Sequence, residues 1–205
     1  MAPASRAVQA MDAVPRREFL PRAQRRHDAR DQPLPIGHGQ TNSQPTTVRQ
    51  MLELLDVRPG HRVLDVGAGS GWTTALLAWL TGPTGSVWGV ERVPELVDFG
   101  AANLAAAGMP WASIRAAQAG VLGLPALGPY DRILVSAQAT ELPGELLAQL
   151  APGGIMVAPV GGRMLRVRDG AAPDGGPAIE EHGWYRFVPL VADPPARAGV
   201  SRPES

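Results

Sequence analysis

A strand, a glycine-rich turn and a helix follow one another between residues 62 and 80, and this unit restricts the chain to few folds. Residues 62–66 (Arg-Val-Leu-Asp-Val) form a short apolar run that is typical of a buried strand. The next five residues form a tight loop, and residues 72–80 form a helical run that ends at Gly82. Such a unit predicts a parallel sheet, with a ligand site where the loop meets the N-terminus of the helix.

The alternation of strand and helix continues along the chain. Further strands are predicted over residues 86–91, 112–116, 130–136 and 154–160, with helices over 94–107 and 143–150. Two final strand-like runs, 164–168 and 184–190, are separated only by a Gly/Pro/Asp-rich loop over 169–177, which favours an antiparallel pair. The predicted fold class is therefore α/β, with a Rossmann-like, doubly wound, mostly parallel sheet and an antiparallel C-terminal edge.

The 205 residues and 21.6 kDa of the chain fit one domain with a core of its own. Residues 1–33 are interpreted as an N-terminal extension of helix and loop, with a short helix over 5–14. The Rossmann-like domain is assigned to residues 34–192 and includes an amphipathic helix that begins at Pro45. Residues 193–205 are expected to be a flexible tail.

The composition excludes several kinds of chemistry. All 19 basic residues are Arg and no Cys is present, which rules out lysine Schiff bases, thiolate nucleophiles, cysteine metal sites and disulfides. The four His residues are scattered without metal-ligand spacing, so no metal site is expected. The net charge of +0 provides no general attraction to nucleic acid, and the basic stretch 22–30 is interpreted as a solvated face.

Neither a membrane span nor a signal peptide is recognisable in the sequence. No apolar run reaches the roughly 18 residues that a membrane helix requires. Charged side chains interrupt the first 19 residues, which therefore lack the apolar core of a signal peptide. We expect a soluble, cytoplasmic protein that does not bind membranes.

The loop after the first predicted strand consists of Gly67, Ala68, Gly69, Ser70 and Gly71. The dinucleotide fingerprint Gly-x-Gly-x-x-Gly would place its third glycine at position 72, which is Trp72. Glu91 ends the second strand, where a carboxylate accepts ribose hydroxyls in NAD and S-adenosylmethionine sites alike. The glycine spacing, Trp72 and the antiparallel edge favour S-adenosyl-L-methionine over NAD, with a purely structural turn as the alternative to a ligand site.

A twelve-residue segment is more specific than the glycines. Residues 34–45 (Leu-Pro-Ile-Gly-His-Gly-Gln-Thr-Asn-Ser-Gln-Pro) resemble the segment Pro-Ile-Gly-His-Gly-Gln-Thr-Ile-Ser-Gln-Pro of the protein-L-isoaspartate (D-aspartate) O-methyltransferase family, with one change. The similarity continues in order through residues 14–16, 63–71, 90–96, 129–133, 153–154, 159–161 and 187–190, within the span 10–192.

The resemblance implies transfer of a methyl group from S-adenosyl-L-methionine to the free carboxylate of an isoaspartyl residue in peptides or proteins. It implies that the Ser43 hydroxyl donates to the substrate carboxylate, as the catalytic residue. It also implies a cofactor site made by Thr41, Asn42, Gln44, the loop 67–71 and Glu91. Because a carboxylate is already ionised at pH 7, the reaction needs positioning more than a general base. Taken alone, Ser43 also fits the N-cap of the helix at Pro45.

Three departures from the family pattern affect the functional interpretation. The family's Gly-Asp-Gly after the third strand falls on residues 118–120, so the acidic acceptor for the adenine amino group becomes Ala119, with the amide of Gln118 as a candidate substitute. Asn42 replaces an apolar residue in the active-site segment, and Ala29 changes the surface near the expected peptide cleft.

We therefore predict a monomeric isoaspartyl carboxyl O-methyltransferase that acts in protein repair. Its expected partners are peptides or proteins that contain isoaspartyl residues, and not nucleic acid. Two alternatives stay open. One is a divergent relative that methylates an aspartyl or isoaspartyl residue of one dedicated peptide. The other is a pseudoenzyme or binding protein whose cofactor site is impaired at Ala119.

Overall fold

The computed structural model describes residues 4–191. The helices are α1 (Arg6–Ala13), α2 (Pro45–Leu55), α3 (Trp72–Thr81), α4 (Pro94–Ala106) and α5 (Gly144–Leu147). The strands are β1 (Leu34–Gly37), β2 (Gln40–Asn42), β3 (Arg62–Val66), β4 (Ser86–Glu91), β5 (Ala112–Ala116), β6 (Tyr130–Val135), β7 (Leu150–Val160), β8 (Arg163–Arg168) and β9 (Ala178–Trp184). Short 3₁₀ helices occupy Arg16–Phe19, Arg25–His27 and Pro125–Leu127.

The main sheet has seven strands in the order β5-β4-β3-β6-β7-β8-β9, and β1 pairs with β2 in a separate hairpin. The strands from β5 to β7 are parallel, whereas β8 and β9 return antiparallel. Because the chain winds from β3 out to β5 and then crosses to β6, the strand order reverses between β3 and β6. Open α/β sheets bind ligands at the carboxyl ends of such strands. The predicted fold class is confirmed.

Strand β3 is buried on both faces, which explains its nearly uninterrupted apolar sequence. Val63 belongs to the hydrophobic cluster that also contains side chains of α1, α2 and α3. Leu64 and Val66 belong to the cluster on the opposite face, together with Leu146 of α5. Since successive side chains of a strand point to opposite faces, β3 requires a layer of helices on each side. Its central position places the glycine loop in the middle of the sheet edge.

The N-terminal residues pack onto this core. Ala7 and Ala10 of α1 are buried in the same cluster as α2 and α3. The indole Nε1 of Trp72 donates to the backbone carbonyl of Val14 over 3.0 Å, which ties the end of α1 to the start of α3. The division of the chain at residue 33 stays a prediction, and the predicted tail lies outside the described residues.

Two predicted elements differ from the structure. The helix predicted over residues 143–150 is a single turn, α5, because β7 already begins at Leu150 and pairs there with Tyr130. The prediction of a strand over residues 184–190 is wrong. A strand at this edge must pair with β8, and Trp184 already faces Arg163, the first residue of β8. The edge strand therefore ends, rather than begins, at Trp184.

Residues 185–191, which we call the C-terminal strap, run back over the carboxyl edge of the sheet instead. The backbone N–H of Gln138 donates to the carbonyl of Val188, and the N–H of Leu190 donates to the carbonyl of Gln138, both over 2.7 Å. The strap is thereby attached to the loop that follows β6 and lies beside the crevice between β3 and β6.

Within residues 4–191, no helix is long and apolar enough to cross a bilayer. The same residues contain no group of three or more His, Asp or Glu side chains that could hold a metal ion. The basic stretch 22–30 forms turns and a short 3₁₀ helix, and its side chains are exposed or half-buried.

Candidate functional site

Three hollows lie side by side at the carboxyl edge of the sheet. The inner cavity is bordered by the glycine loop, Glu91, residues 117–123 and the C-terminal strap. The middle cavity is small and polar and lies between residues 41–43 and the glycine loop. The outer cleft, of about 600 Å³, lies between the start of α2 and the strap. Thr41 and Ser136 line all three, so the hollows form one connected site.

Three of the five residues of the glycine loop, Gly67, Gly69 and Gly71, have positive φ angles, which favour glycine. Gly71 has a φ of 85° and lies directly before α3. A Cβ atom at Gly71 would lie 2.9 Å from the carbonyl oxygen of Gly100 in α4, too close for any substituted residue. The loop is thus pressed between β3 and α4, with Ala68 and Ser70 buried and Gly67 and Gly69 lining the inner cavity.

Glu91 is held rigidly at the end of β4. Its Oε1 accepts from the backbone N–H groups of Arg92 and Val93 over 2.8 and 2.9 Å, and its Oε2 accepts from the N–H of Gly69 over 3.0 Å. The side chain is only 6% exposed, yet it borders the inner cavity. A fixed carboxylate with a remaining lone pair can accept hydroxyl groups of a bound ribose without first being ordered.

Gln118 and Ala119 follow β5 and are placed differently. Gln118 borders the inner cavity beside Ala117, Val121 and Leu122, whereas Ala119 is exposed and is not part of the cavity lining. The apolar neighbours of Gln118 suit a flat aromatic ring. Among the described residues 117–123, Gln118 provides the only polar side chain at this end of the cavity.

The β1–β2 hairpin delivers residues 41–44 to the other end of the site. Its turn has positive φ angles at Gly37 (97°), His38 (53°) and Gly39 (72°), which reverses the chain over three residues. Thr41 faces the three hollows, Ser43 borders the middle cavity and the outer cleft, and Gln44 borders the outer cleft alone. Asn42 borders the middle cavity alone and is 5% exposed.

The N-terminus of α2 is capped by Asp31 and not by Ser43. The N-cap position is Gln44, and the carboxylate of Asp31 accepts from the backbone N–H and the hydroxyl of Thr46 over 2.9 and 2.8 Å, and from Gln44 Nε2 over 3.0 Å. The backbone hydrogen bond from Thr46 is the main reason why the pKa of Asp31 lies below its usual value. The Ser43 hydroxyl is consequently free of intramolecular partners within residues 4–191.

A buried arginine, Arg16, holds this segment in place. The sequence predictions do not include it in the site. Arg16 is 5% exposed, and its guanidinium lies 5.6 Å from the ring centre of Trp72. Five hydrogen bonds of 2.7–3.0 Å satisfy it, to the side-chain Oδ1 of Asn42 and to the backbone carbonyls of Arg30, Gln32, Asn42 and Ser43. Burial lowers the pKa of Arg16 to about 10, so the guanidinium stays charged at neutral pH.

Asp65 of β3 lies beneath the glycine loop and is fully buried. The hydroxyls of Thr73 and Thr74 donate to its Oδ2 over 2.8 and 2.7 Å. Burial raises the pKa of the Asp65 carboxyl to about 6. Its Oδ1, and the Oγ of Ser136, have no hydrogen-bond partner among the described residues. The sequence pattern predicts only a buried strand at this position, so it does not identify the carboxylate as part of the site.

The outer cleft is an open groove between two walls of side chains. It lies between the α2 side chains of Thr46, Thr47 and Gln50 and the strap residues from Tyr185 to Val188. The hydroxyl of Tyr185 donates to Gln50 Oε1 over 2.7 Å and joins the two walls. The cleft opens beside Trp184, which is 72% exposed.

The chain is similar in sequence and in fold to the members of one protein family. The protein-L-isoaspartate(D-aspartate) O-methyltransferase model matches residues 2–194. A protein-L-isoaspartate O-methyltransferase of Methanopyrus kandleri is 46% identical over 203 residues, 98% of this chain and 88% of the relative. One of Anaeromyxobacter dehalogenans is 46% identical, over 93% of this chain and 91% of its own. A Plasmodium falciparum structure described as a protein-L-isoaspartate O-methyltransferase, in complex with S-adenosyl-L-homocysteine, superposes with a TM-score of 0.81 at 26% identity, covering 94% and 93% of the two chains.

Proposed function

Because this chain belongs to the protein-L-isoaspartate(D-aspartate) O-methyltransferase family, we propose that it methylates the free carboxylate of L-isoaspartyl residues in proteins, with S-adenosyl-L-methionine as the methyl donor. The observation that carries the proposal is the connection between the two ends of the site. Thr41 and Ser136 line both the inner cavity, which holds Glu91, and the outer cleft, which holds Ser43. A methyl group bound between them is within reach of a peptide in the cleft.

The residues of the inner cavity fit the proposed cofactor part by part. Glu91 presents a carboxylate, already fixed by three N–H groups, to the ribose hydroxyls. Gln118 presents an amide oxygen to the adenine amino group, in place of the acidic residue that Ala119 replaces. The loop 67–71 and Thr41 enclose the methionine part. Asn42 borders the middle cavity, and we place Gln44 on the substrate side.

When bound, the cofactor supplies an electrophilic methyl group on a positively charged sulfur. The nucleophile is a carboxylate oxygen of the substrate, which is ionised at neutral pH and needs no general base. A new O–CH₃ bond forms while the S–CH₃ bond breaks, and the bonding electron pair stays on the sulfur. The protein contributes by aligning the two reactants and excluding water, effects that account for several kcal/mol of a barrier.

Ser43 is the residue that we assign to the substrate carboxylate. Its hydroxyl is free because Asp31 caps α2 in its place, and its backbone carbonyl is held by Arg16. A single hydrogen bond to one carboxylate oxygen orients the group and leaves the other oxygen free to attack. The resulting methyl ester allows the following peptide nitrogen to close a succinimide with loss of methanol, and hydrolysis of the ring restores part of the aspartate.

The test is methyl transfer from radiolabelled S-adenosyl-L-methionine to three unrelated isoaspartyl peptides, each paired with the same peptide carrying ordinary aspartate. A repair enzyme labels all three isoaspartyl peptides and none of the aspartyl controls. Labelling of none, together with micromolar binding of S-adenosyl-L-homocysteine by calorimetry, would favour a relative dedicated to one peptide. Absence of binding would instead point to an impaired cofactor site.

Monomeric action and a cytoplasmic location stay predictions. Sedimentation velocity at micromolar concentration, with and without S-adenosyl-L-homocysteine, measures the oligomeric state directly.

A further inference from the structure

The side chain of Asn42 links two parts of the site by hydrogen bonds. Its side-chain Oδ1 accepts from Arg16 Nε over 2.7 Å, and its Nδ2 donates to the Oγ of Ser70 over 3.0 Å. Arg16 and Ser70 are each buried, at 5% and 2% exposure, so neither contact is exchanged easily for water. The side-chain amide is the bridging group because it offers an acceptor to the cation and a donor to the hydroxyl.

One end of this bridge reaches the proposed catalytic residue. Arg16, which Asn42 orients through Nε, also donates from Nη2 to the carbonyl of Ser43 over 2.9 Å. The same Nη2 donates to the carbonyl of Asn42 over 2.9 Å. The peptide groups on both sides of Ser43 are therefore fixed by the guanidinium that the Asn42 side chain itself holds in place.

The other end of the bridge reaches the cofactor loop. The backbone carbonyl of Ser70 accepts from Asn103 Nδ2 over 3.0 Å, and its neighbour Gly69 donates its N–H to Glu91. A continuous chain of hydrogen bonds and peptide groups thus runs from Ser43 through Arg16, Asn42 and Ser70 to Glu91. The ends of this chain are the proposed substrate contact and the proposed ribose contact.

We propose that Asn42 is a positioning residue, which holds the Ser43 segment in register with the glycine loop so that ligand binding at the loop also orders Ser43. This inference rests on the proposed function. The resembled family pattern has an apolar residue at this position, and such a side chain could form neither hydrogen bond. An apolar side chain at this position would leave Arg16 Nε and Ser70 Oγ without these partners.

The first test uses hydrogen exchange and does not depend on turnover. S-adenosyl-L-homocysteine is added to the wild type, to Asn42→Leu and to Asn42→Asp, and amide protection is followed by mass spectrometry in peptides that cover residues 40–44. We expect the ligand to slow exchange of this segment in the wild type and in Asn42→Asp, whose carboxylate can accept from Arg16 and from the Ser70 hydroxyl. In Asn42→Leu we expect the slowing to be lost, although the glycine loop is still protected.

The second test is kinetic. We expect kcat of Asn42→Leu for isoaspartyl peptides to fall about tenfold, as for the loss of one aligned hydrogen bond, with the KM for the cofactor changed by less than about threefold. Ser70→Ala breaks the same bond from the other side, and the double variant should lose no more than the worse single variant. Asn42→Asp should recover most of the rate.

The outcomes separate this inference from the proposed function. Protection of residues 40–44 in Asn42→Leu equal to that of the wild type would overturn the inference, and so would additive losses in the double variant. An inactive wild type would count against the proposed function alone, since the exchange measurement still decides on the bridge. If Asn42→Leu fails to fold, Ser70→Ala provides the same comparison.

Discussion

The guanidinium Nη2 of Arg16 donates to the backbone carbonyl of Ser43 over 2.9 Å, across 27 positions of sequence. Four other hydrogen bonds hold the same guanidinium, which is buried against Trp72. A planar cation with five donors can bind several carbonyls at fixed angles, which an ammonium group cannot do. The position of Ser43 is therefore set by an arginine that lies near the start of the chain.

Replacing Arg16 with Lys should destabilise the protein by about 3 kcal/mol, because a single ammonium leaves several buried carbonyls without a donor. Urea denaturation at pH 7 measures the change in the free energy of unfolding. Arg17→Lys is the matched control, since Arg17 is exposed and its replacement should change stability by less than about 0.5 kcal/mol. Equal effects of the two substitutions would show that the buried network contributes nothing.

Replacing Ser43 with Ala should lower kcat for isoaspartyl peptides by about 10- to 100-fold, because the substrate carboxylate loses its aligned donor. The affinity for S-adenosyl-L-homocysteine, measured by calorimetry, should stay within about threefold, because Ser43 does not line the inner cavity. Ser113→Ala, in β5 and away from the three hollows, is the control. A parallel loss of turnover and cofactor affinity would show that Ser43 shapes the cofactor site instead.

Asp65 should make the stability of the protein depend on pH. Because burial raises its pKa from 3.8 to about 6, the folded state keeps a proton that the unfolded chain releases between these values. This group therefore favours the folded state less as the pH rises from about 4 to about 6, by on the order of 3 kcal/mol in all, and adds no further change above that window.

Asp65→Asn removes this dependence, since the amide does not titrate. The free energy of unfolding of the variant minus that of the wild type should therefore increase between pH 4 and pH 6.5 and level off above it. Urea denaturation at half-unit intervals follows the difference, and Asp169→Asn, on the loop after β8, is the control. A difference that is independent of pH would contradict the raised pKa.

We expect Gln118 to let the cofactor site bind purines with either an amino or an oxo group at position 6. A carboxylate accepts only, and so favours the amino group of adenine, whereas the amide of Gln118 can turn to accept or to donate. The wild type should bind S-inosyl-L-homocysteine, with its 6-oxo group, within about tenfold of S-adenosyl-L-homocysteine. Gln118→Asp should widen this ratio to about 100-fold, and Gln118→Leu should weaken both ligands equally.

Calorimetry with the two homocysteine derivatives provides these ratios. A wild type that already rejects the inosyl compound by more than about 100-fold would show that another group reads the purine edge. If Gln118→Leu leaves the affinities for both ligands unchanged, the side chain does not reach the ring at all.

Local sequence patterns were sufficient to predict the centre of the fold. The apolar run of β3, the glycines after it and the helical spacing of α3 depend on neighbours in sequence, and the structure has them as predicted. The strand at the C-terminal edge was misplaced because residues 184–190 have a high strand propensity, whereas the length of β8 decides where β9 pairs. Propensity has no information on the length of a partner strand.

At the candidate site, too, the sequence predicts some residues and only the fold decides the others. Glu91 and the glycine loop could be located because they end and follow strands of a parallel sheet, whose carboxyl ends meet. The sequence suggested Ser43 as an N-cap as well as a catalytic residue, and only the position of Asp31 beside Thr46 left its hydroxyl free. Likewise the sequence identifies Asn42 only as a departure from the family pattern and does not predict its hydrogen-bond partners.

By itself the sequence determined a doubly wound sheet, the edge that carries the ligand loop and the absence of thiol and amine chemistry. These follow from residue types and short spacings, which fix backbone conformation and burial locally. Only the tertiary structure decided that Arg16 and Ser70, 26 and 28 positions from Asn42, meet its side chain. Such contacts depend on how separate segments pack, because a buried polar group bonds to whatever partner the fold brings within about 3 Å.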